Sequence, residues 1–316
     1  MLKRLRYRLE WFFVKIFAGI IPLLPLAVVR HLALFAGAVV YHLDGKSRAV
    51  ALANLETAFG DAFDLDARKR IARQSLQVFA RAFLELFWVP RLTKENIKTF
   101  VSFEDLNRFN ELIGQPLIMV TCHYGNFEWA SVLFGLEGYP GTILTQRFKN
   151  DLLTSIFRDV RELPGNTAIT QENSILRLLR ALRKGKTIGM LTDLTLKMDD
   201  PAVIIDAFGL KMRVTLAHCI LHERTRTPIV PFIALPRGDG GYSVRIMPAL
   251  SFPSGTSNQE IAQTCWNQFE PLIRAHPEQW MWVYKHWRYR PSATDRKYPF
   301  YANRSARFDE ELGART

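Results

Sequence analysis

Three short runs constrain the fold of this chain most: residues 116–122 (PLIMVTC), 187–192 (TIGMLT) and 228–235 (PIVPFIAL). Each is apolar almost without interruption. They are too short for a helix buried all round and lack the alternation of a strand with one wet face. Strands of this kind are buried on both sides, so helices must cover the sheet above and below. The intervening sequence supplies helices. Residues 66–89 space Ile71, Val78, Phe79, Ala82, Phe83 and Leu86 at helical intervals, with Arg and Lys opposite. Residues 172–184 form a second amphipathic helix, stopped by Lys184-Gly185. Residues 258–275 read as a third. One more strand, 242–247 (YSVRIM), follows a glycine-rich turn at 238–241. The expected fold class is α/β: a single domain with a central, mostly parallel mixed sheet flanked by helices, preceded by an N-terminal hydrophobic membrane-anchoring helical segment.

That segment is read from residues 1–45, and the domain from 46–316. Residues 1–8 (MLKRLRYR) carry four positive charges, and the apolar stretch over 11–43 is interrupted by Lys15, Pro22, Pro25, Arg30 and His31. A spanning helix needs about 20 apolar residues in a row. The pattern fits better a basic, aromatic-rich anchor dipping into one leaflet. A single pass over 11–29 is the second choice, and a buried helical hairpin at the start of a soluble domain is the third. A cleavable signal peptide fits poorly, since no small-x-small site ends the apolar region. Forty-two Lys and Arg against thirty Asp and Glu leave a net charge of +12, a surface suited to anionic partners. Apolar residues at 48% exclude a disordered chain. Cys122, Cys219 and Cys265 include no CxxC, so neither a disulfide framework nor a cysteine-rich zinc site is expected.

In open α/β sheets, ligands gather at the carboxyl ends of strands. The first run ends in Cys122-His123-Tyr124-Gly125-Asn126-Phe127-Glu128. His123 and Glu128 would sit about 140° apart on one continuous helix. A strand, a tight turn at Gly125 and a helix capped by Asn126 would bring them together, the carboxylate holding one imidazole nitrogen and leaving the other as a base. Cys122 points to the opposite face from His123 and is no partner for it. Elsewhere, His218 and His222 share helical spacing, but Cys219 stands where a metalloprotease needs Glu, so no metal site is expected. Residues 183–187 (RKGKT) end like a phosphate loop, yet Arg180 occupies the place of its first glycine. Neither GxSxG nor GxGxxG occurs. The basic, aromatic YKHWRYR run has no RNA-binding module around it, and no nucleic-acid partner is expected.

The HYGNFE segment resembles the His-x4-Asp/Glu motif of lipid acyltransferases. The closer similarity is to the lipid A biosynthesis (lauroyl/myristoyl) acyltransferase family, within the lysophospholipid acyltransferase-like superfamily. Arg48 with Asn54-Leu55-x3-Phe59 is similar to that family's R…NLxxxFP segment, with Gly60 for the usual proline. Gln146-Arg147, the helix ending in Arg161, and Thr192-Asp193 match later segments. So do Ala207-Phe208-Gly209 with Arg213-Val214-Thr215, and Pro277-Glu278-Gln279-Trp280-Met281-Trp282.

The resemblance implies a membrane O-acyltransferase on the cytoplasmic side of the inner membrane. It would move a fatty acyl chain from a thioester, acyl-carrier protein or coenzyme A, to a hydroxyl of a glycolipid such as a lipid A precursor. The thioester is a co-substrate; no resident cofactor or metal is implied. His123 would be the general base and Glu128 its partner. Backbone N–H groups around Gly125 and Asn126, or Arg161, would face the oxyanion. Arg147, Arg161, Asp193, Arg213, Lys285, Arg288 and Arg290 are candidates for acceptor or phosphate contacts. Membrane lipids and acyl-carrier protein are the expected partners of a monomer. A lysophospholipid or other glycolipid is the alternative acceptor; a non-catalytic lipid-binding membrane protein is the reading from a different class.

Overall fold

A computed structural model describes residues 2–313. The predicted anchor's first residue and the predicted domain's last three lie outside them. Four helices come first: α1 (Leu2–Ile20), α2 (Leu26–Leu43), α3 (Gly45–Phe59) and α4 (Leu65–Phe87). The chain turns between α1 and α2 at Pro22 and Pro25, so residues 11–29 do not make one continuous helix. After a short α5 (Ile97–Phe100) come β1 (Val101–Phe103), α6 (Leu106–Leu112), β2 (Ile118–Thr121) and α7 (Phe127–Leu136). Then follow β3 (Thr142–Thr145), α8 (Asp151–Glu162), β4 (Thr167–Thr170), α9 (Ser174–Arg183) and β5 (Ile188–Leu191). A hairpin of β6 (Ala202–Ala207) and β7 (Leu210–Thr215) leads to α10 (Ala217–Thr225), β8 (Ile229–Pro236) and β9 (Tyr242–Ile246). The chain closes with α11 (Asn258–Trp266), α12 (Glu270–Ala275), β10 (Tyr289–Arg290), β11 (Asn303–Arg304) and α13 (Ala306–Gly313). The expected single helix over 258–275 is thus two. Pro271, at the second position of α12, has no N–H to continue the ladder from α11.

The central sheet has seven strands in the order β1-β9-β8-β2-β5-β3-β4. The five from β8 to β4 run parallel; β9 is antiparallel to β8, and β1 runs with β9. This is the mostly parallel mixed sheet expected from the apolar runs. Alternate residues of β2 feed two cores. Ile118, Val120 and Cys122 pack with α9, α10 and α11, whereas Leu117 and Met119 pack on the side of α7 and the C-terminal half of α4.

The N-terminal pair joins the second core. Ile21, Val29 and Ala33 are buried there, and Phe17 packs edge-on to Phe87. Helix α2 runs close along α4: a Cβ added at Gly37 would lie 2.5 Å from the Cα of Gln77. Their outer faces stay apolar and exposed, with Phe12, Phe13, Leu23, Phe35 and Leu43 among the residues facing outward.

Candidate active site

The turn after β2 carries the predicted motif. Gly125 has φ of 55°, and a Cβ there would lie 2.1 Å from the carbonyl oxygen of Ala234, so conformation and space both demand glycine. Asn126 caps α7, its Oδ1 accepting from Trp129 N–H at 3.0 Å. Its Nδ2 donates to Glu85 Oε2 at 2.6 Å. Glu85 is wholly buried and also accepts from Arg30 and Arg81 at 2.8 and 2.9 Å and from the Tyr242 hydroxyl at 2.7 Å. One carboxylate therefore ties α2, α4 and β9 to the first turn of α7. Sequence reading missed it. The available signal was an acid inside the apolar AFLELFW segment, where an unpaired charge is not tolerated.

The imidazole of His123 is held by Asp193, not by Glu128. Its Nδ1 lies 2.8 Å from Asp193 Oδ1, and its backbone N–H donates to Asp193 Oδ2 at 2.9 Å. The Trp280 indole N–H donates to the same Oδ2 at 2.8 Å. Burial alone would raise the Asp193 carboxyl, but the charge and hydrogen bonds of His123 hold it at about 2. An ionised carboxylate only accepts, so Nδ1 carries a proton, and in the neutral ring Nε2 is the nitrogen with the lone pair. The ring packs edge-on to Phe127 at 5.0 Å between centroids.

Glu128 instead forms a two-point ion pair with Arg161, at 2.9 Å to Nε and 2.5 Å to Nη2. The reason is local. Glu128 sits in the first turn of α7, turned toward the last turn of α8, where the helix dipole favours a cation. Burial would lower the Arg161 pKa, but the Glu128 charge and hydrogen bonds raise it, so the guanidinium stays charged.

Both pairs border an apolar cavity of about 560 Å³ on the α7 face of the sheet. His123, Glu128, Arg161, Met281 and Tyr284 line one part; Phe79 and Phe83 of α4, Met119 and Phe134 line the rest. The phenylalanine stripe of α4 thus divides, since Phe87 is plain core.

Several predicted residues stand elsewhere. Gly125 and Asn126 do not line the cavity: the Gly125 N–H donates to Gln279 O at 3.0 Å, and the Asn126 side chain is taken by Glu85 and Trp129. The Gly125 N–H, expected to face the oxyanion, is thus already bound. Arg213, expected to touch phosphate, is buried instead, bound to Glu311 at 3.0 Å and to the carbonyl oxygens of Lys197, Met198 and Asp200. Arg147 is exposed and paired with Asp151 and Glu172, outside the cavity. Lys285 is exposed over the Tyr301 ring. Arg288 and Arg290 are half-buried beyond Tyr284, with no ion-pair partner among the described residues. Cys122 is buried on the opposite face, its thiol pushed well up by burial and by the Asp193 charge. His222 bonds Thr227 O through Nδ1, and the backbone N–H of Phe252 donates to its Nε2.

The tail segment closes the site. Gly125 N–H bonds Gln279 O, Met281 N–H bonds His123 O, and Asn54 Nδ2 donates to the carbonyl oxygens of Trp282 and Tyr284 at 2.7 and 2.8 Å. The motifs near residues 54, 123, 193 and 280 are far apart in sequence and converge on one imidazole. Residues 1–289 match the family described as bacterial lipid A biosynthesis acyltransferase.

The chain belongs to that family.

As a lipid A biosynthesis acyltransferase family member it is an acyltransferase. It is 21% identical over 300 residues to the lipid A biosynthesis lauroyltransferase of Escherichia coli (strain K12), covering 93% of this chain and 95% of that protein. It is 23% identical over 228 residues to the phosphatidylinositol mannoside acyltransferase of Mycolicibacterium smegmatis, covering 70% of this chain and 74% of that protein.

Proposed function

We propose that this acyltransferase moves a fatty acyl chain from an acyl thioester to a hydroxyl of a membrane glycolipid such as a lipid A precursor, with His123 as general base and Asp193 as its partner. One observation carries the reading: an imidazole whose Nδ1 is bound to a buried carboxylate borders a long apolar cavity. His123 Nε2 takes the proton of the acceptor hydroxyl while its oxygen attacks the thioester carbonyl carbon. Asp193 stabilises the imidazolium that forms. The tetrahedral intermediate collapses, the carbon–sulfur bond breaks, and the departing thiolate recovers the proton from His123. Products are an ester and a free thiol.

The cavity receives the alkyl chain. Arg161, charged and on its wall, faces the developing oxyanion or an acceptor phosphate. The thioester is consumed as co-substrate, carried by acyl-carrier protein, whose acidic surface suits a chain of net charge +12. The exposed apolar faces of α1 and α2 seat the enzyme on the cytoplasmic face of the inner membrane, beside its acceptor.

His123→Ala and Asp193→Asn should each lower acyl transfer by at least about 10²-fold. Mass spectrometry of total lipids, with and without the protein, reads the product as a species heavier by one acyl group. A folded His123→Ala enzyme with near-normal turnover removes His123 from the chemistry.

A further inference from the structure

The cavity follows β2 away from the motif. In register, Met119 of β2 and Ile143 of β3 flank Gly189 of β5, and all three line the cavity wall. Gly189 sits in the interior of a central strand, where glycine is entropically costly and weakens the sheet. Two structural reasons for a glycine do not apply. Its φ is outside the left-handed region. A Cβ built on it meets no atom within 4 Å, so no neighbouring backbone approaches closely. What lies over Gly189 is open cavity.

We infer that the missing side chain at Gly189 sets the length of alkyl chain the cavity admits. The inference rests on reading the cavity as the acyl-chain site. Strands rise about 3.3 Å per residue, so Met119 and Gly189 lie about 13 Å along the sheet from His123, and Leu117 about 20 Å. Leu117 and Thr187 still line the cavity, so it continues past Gly189. With C–C bonds of ~1.5 Å, an extended chain advances about 1.25 Å per methylene. A barrier at Gly189 would stop a chain near ten carbons from the carbonyl; the open floor admits about sixteen. A single side chain at position 189 therefore converts a long-chain site into a medium-chain one without touching His123, Asp193 or Arg161.

The test is a graded series, Gly189→Ala, Gly189→Val and Gly189→Leu, in detergent-solubilised full-length enzyme. Two profiles are measured against saturated chains of about eight to about eighteen carbons. The first is binding of free fatty acids, read by displacement of a fluorescent fatty acid. The second is transfer from coenzyme A thioesters to vesicles of total bacterial lipid, read by mass. The expected result is a shift of both optima by about four to six carbons in the Val and Leu variants, with at least a tenfold loss for the longest chains and retention of the shortest, and a smaller shift for Ala. Folding is checked by circular dichroism and melting temperature; the single methyl of the Ala variant has room, so it keeps the series informative should Leu misfold. Unchanged profiles in folded Val and Ala variants overturn the role of Gly189 while transfer by the parent enzyme leaves the acyltransferase reading intact. A shift in binding with no transfer by the parent enzyme supports the length limit and removes the proposed reaction.

Discussion

At the scale of single residues, the site separates two carboxylates by what each touches. Asp193 is fully enclosed, and its carboxylate accepts three hydrogen bonds from His123 and Trp280. Glu128 faces a guanidinium and the cavity. The two should respond differently to neutralisation. Glu128→Gln leaves the Arg161 charge without its counter-ion in a largely buried place, so the expected result is a loss of stability of about 3 kcal/mol. The activity that remains is expected at a rate well above that of Asp193→Asn, because His123 keeps its partner. Urea unfolding midpoints and single-turnover transfer rates check the pair. An Asp193→Asn enzyme faster than Glu128→Gln would reverse the assignment. The carboxylate five residues on was legible as part of the site; its true partner was not. Spacing along one helix says nothing about Arg161, 33 residues away on another.

At the scale of elements, the strands buried on both faces were the legible ones. The runs holding β2, β5 and β8 carry their signal in composition, since both faces meet helices. Strands β3 (TILT) and β4 (TAIT), next to and at the sheet's edge, are four residues long and half threonine, and went unread because runs so short and polar carry no apolar signal of a buried strand. The split of 258–275 was visible in Pro271, which reads equally as a tolerated first-turn proline of a new helix. The tail segment carries its own pH dependence. His286 stacks on Trp280 at 4.0 Å and donates to Met281 O at 2.9 Å through Nε2. Burial holds its pKa down at about 4, and burial does the same to His218. The unfolded chain binds a proton at each near pH 6.5 while the native fold does not, so stability is complete above that value and falls as pH drops toward 4. Each histidine then costs about 2 kcal/mol at about pH 5. Asp193, held low, adds its own loss only below about pH 4. Denaturant midpoints at about pH 7.5 and about pH 5 should show this fall, and His286→Gln should reduce it by roughly half. An undiminished fall in that variant would assign the acid sensitivity elsewhere.

At the scale of the whole molecule, the proposed seat on a membrane turns on α2. Its eighteen residues are apolar enough to cross one, and at 1.5 Å each they span about 27 Å. Its docking argues against crossing. Arg30 binds Glu85, Leu34 O accepts from Gln77, and Gly37 abuts Gln77, so three successive turns of α2 are fixed antiparallel to α4. Immersing α2 would carry the exposed Lys69, Arg70 and Arg73 of α4 toward bilayer depth. With Gly37 level with Gln77, these residues stand level with the last turn of α2 and just past it, where a charge is less costly than at the bilayer centre but must still reach the headgroups. Lying in the interface avoids this cost and buries the outward Phe12, Phe13 and Phe35. The expectation is that cysteines placed at Leu23 and at His42, before α2 and near its end, react with a membrane-impermeant maleimide from the same side of sealed vesicles. The three native cysteines are buried and give little background. Labelling of the two positions from opposite sides would make α2 a spanning helix, and the contacts between α2 and α4 would then have to open on insertion.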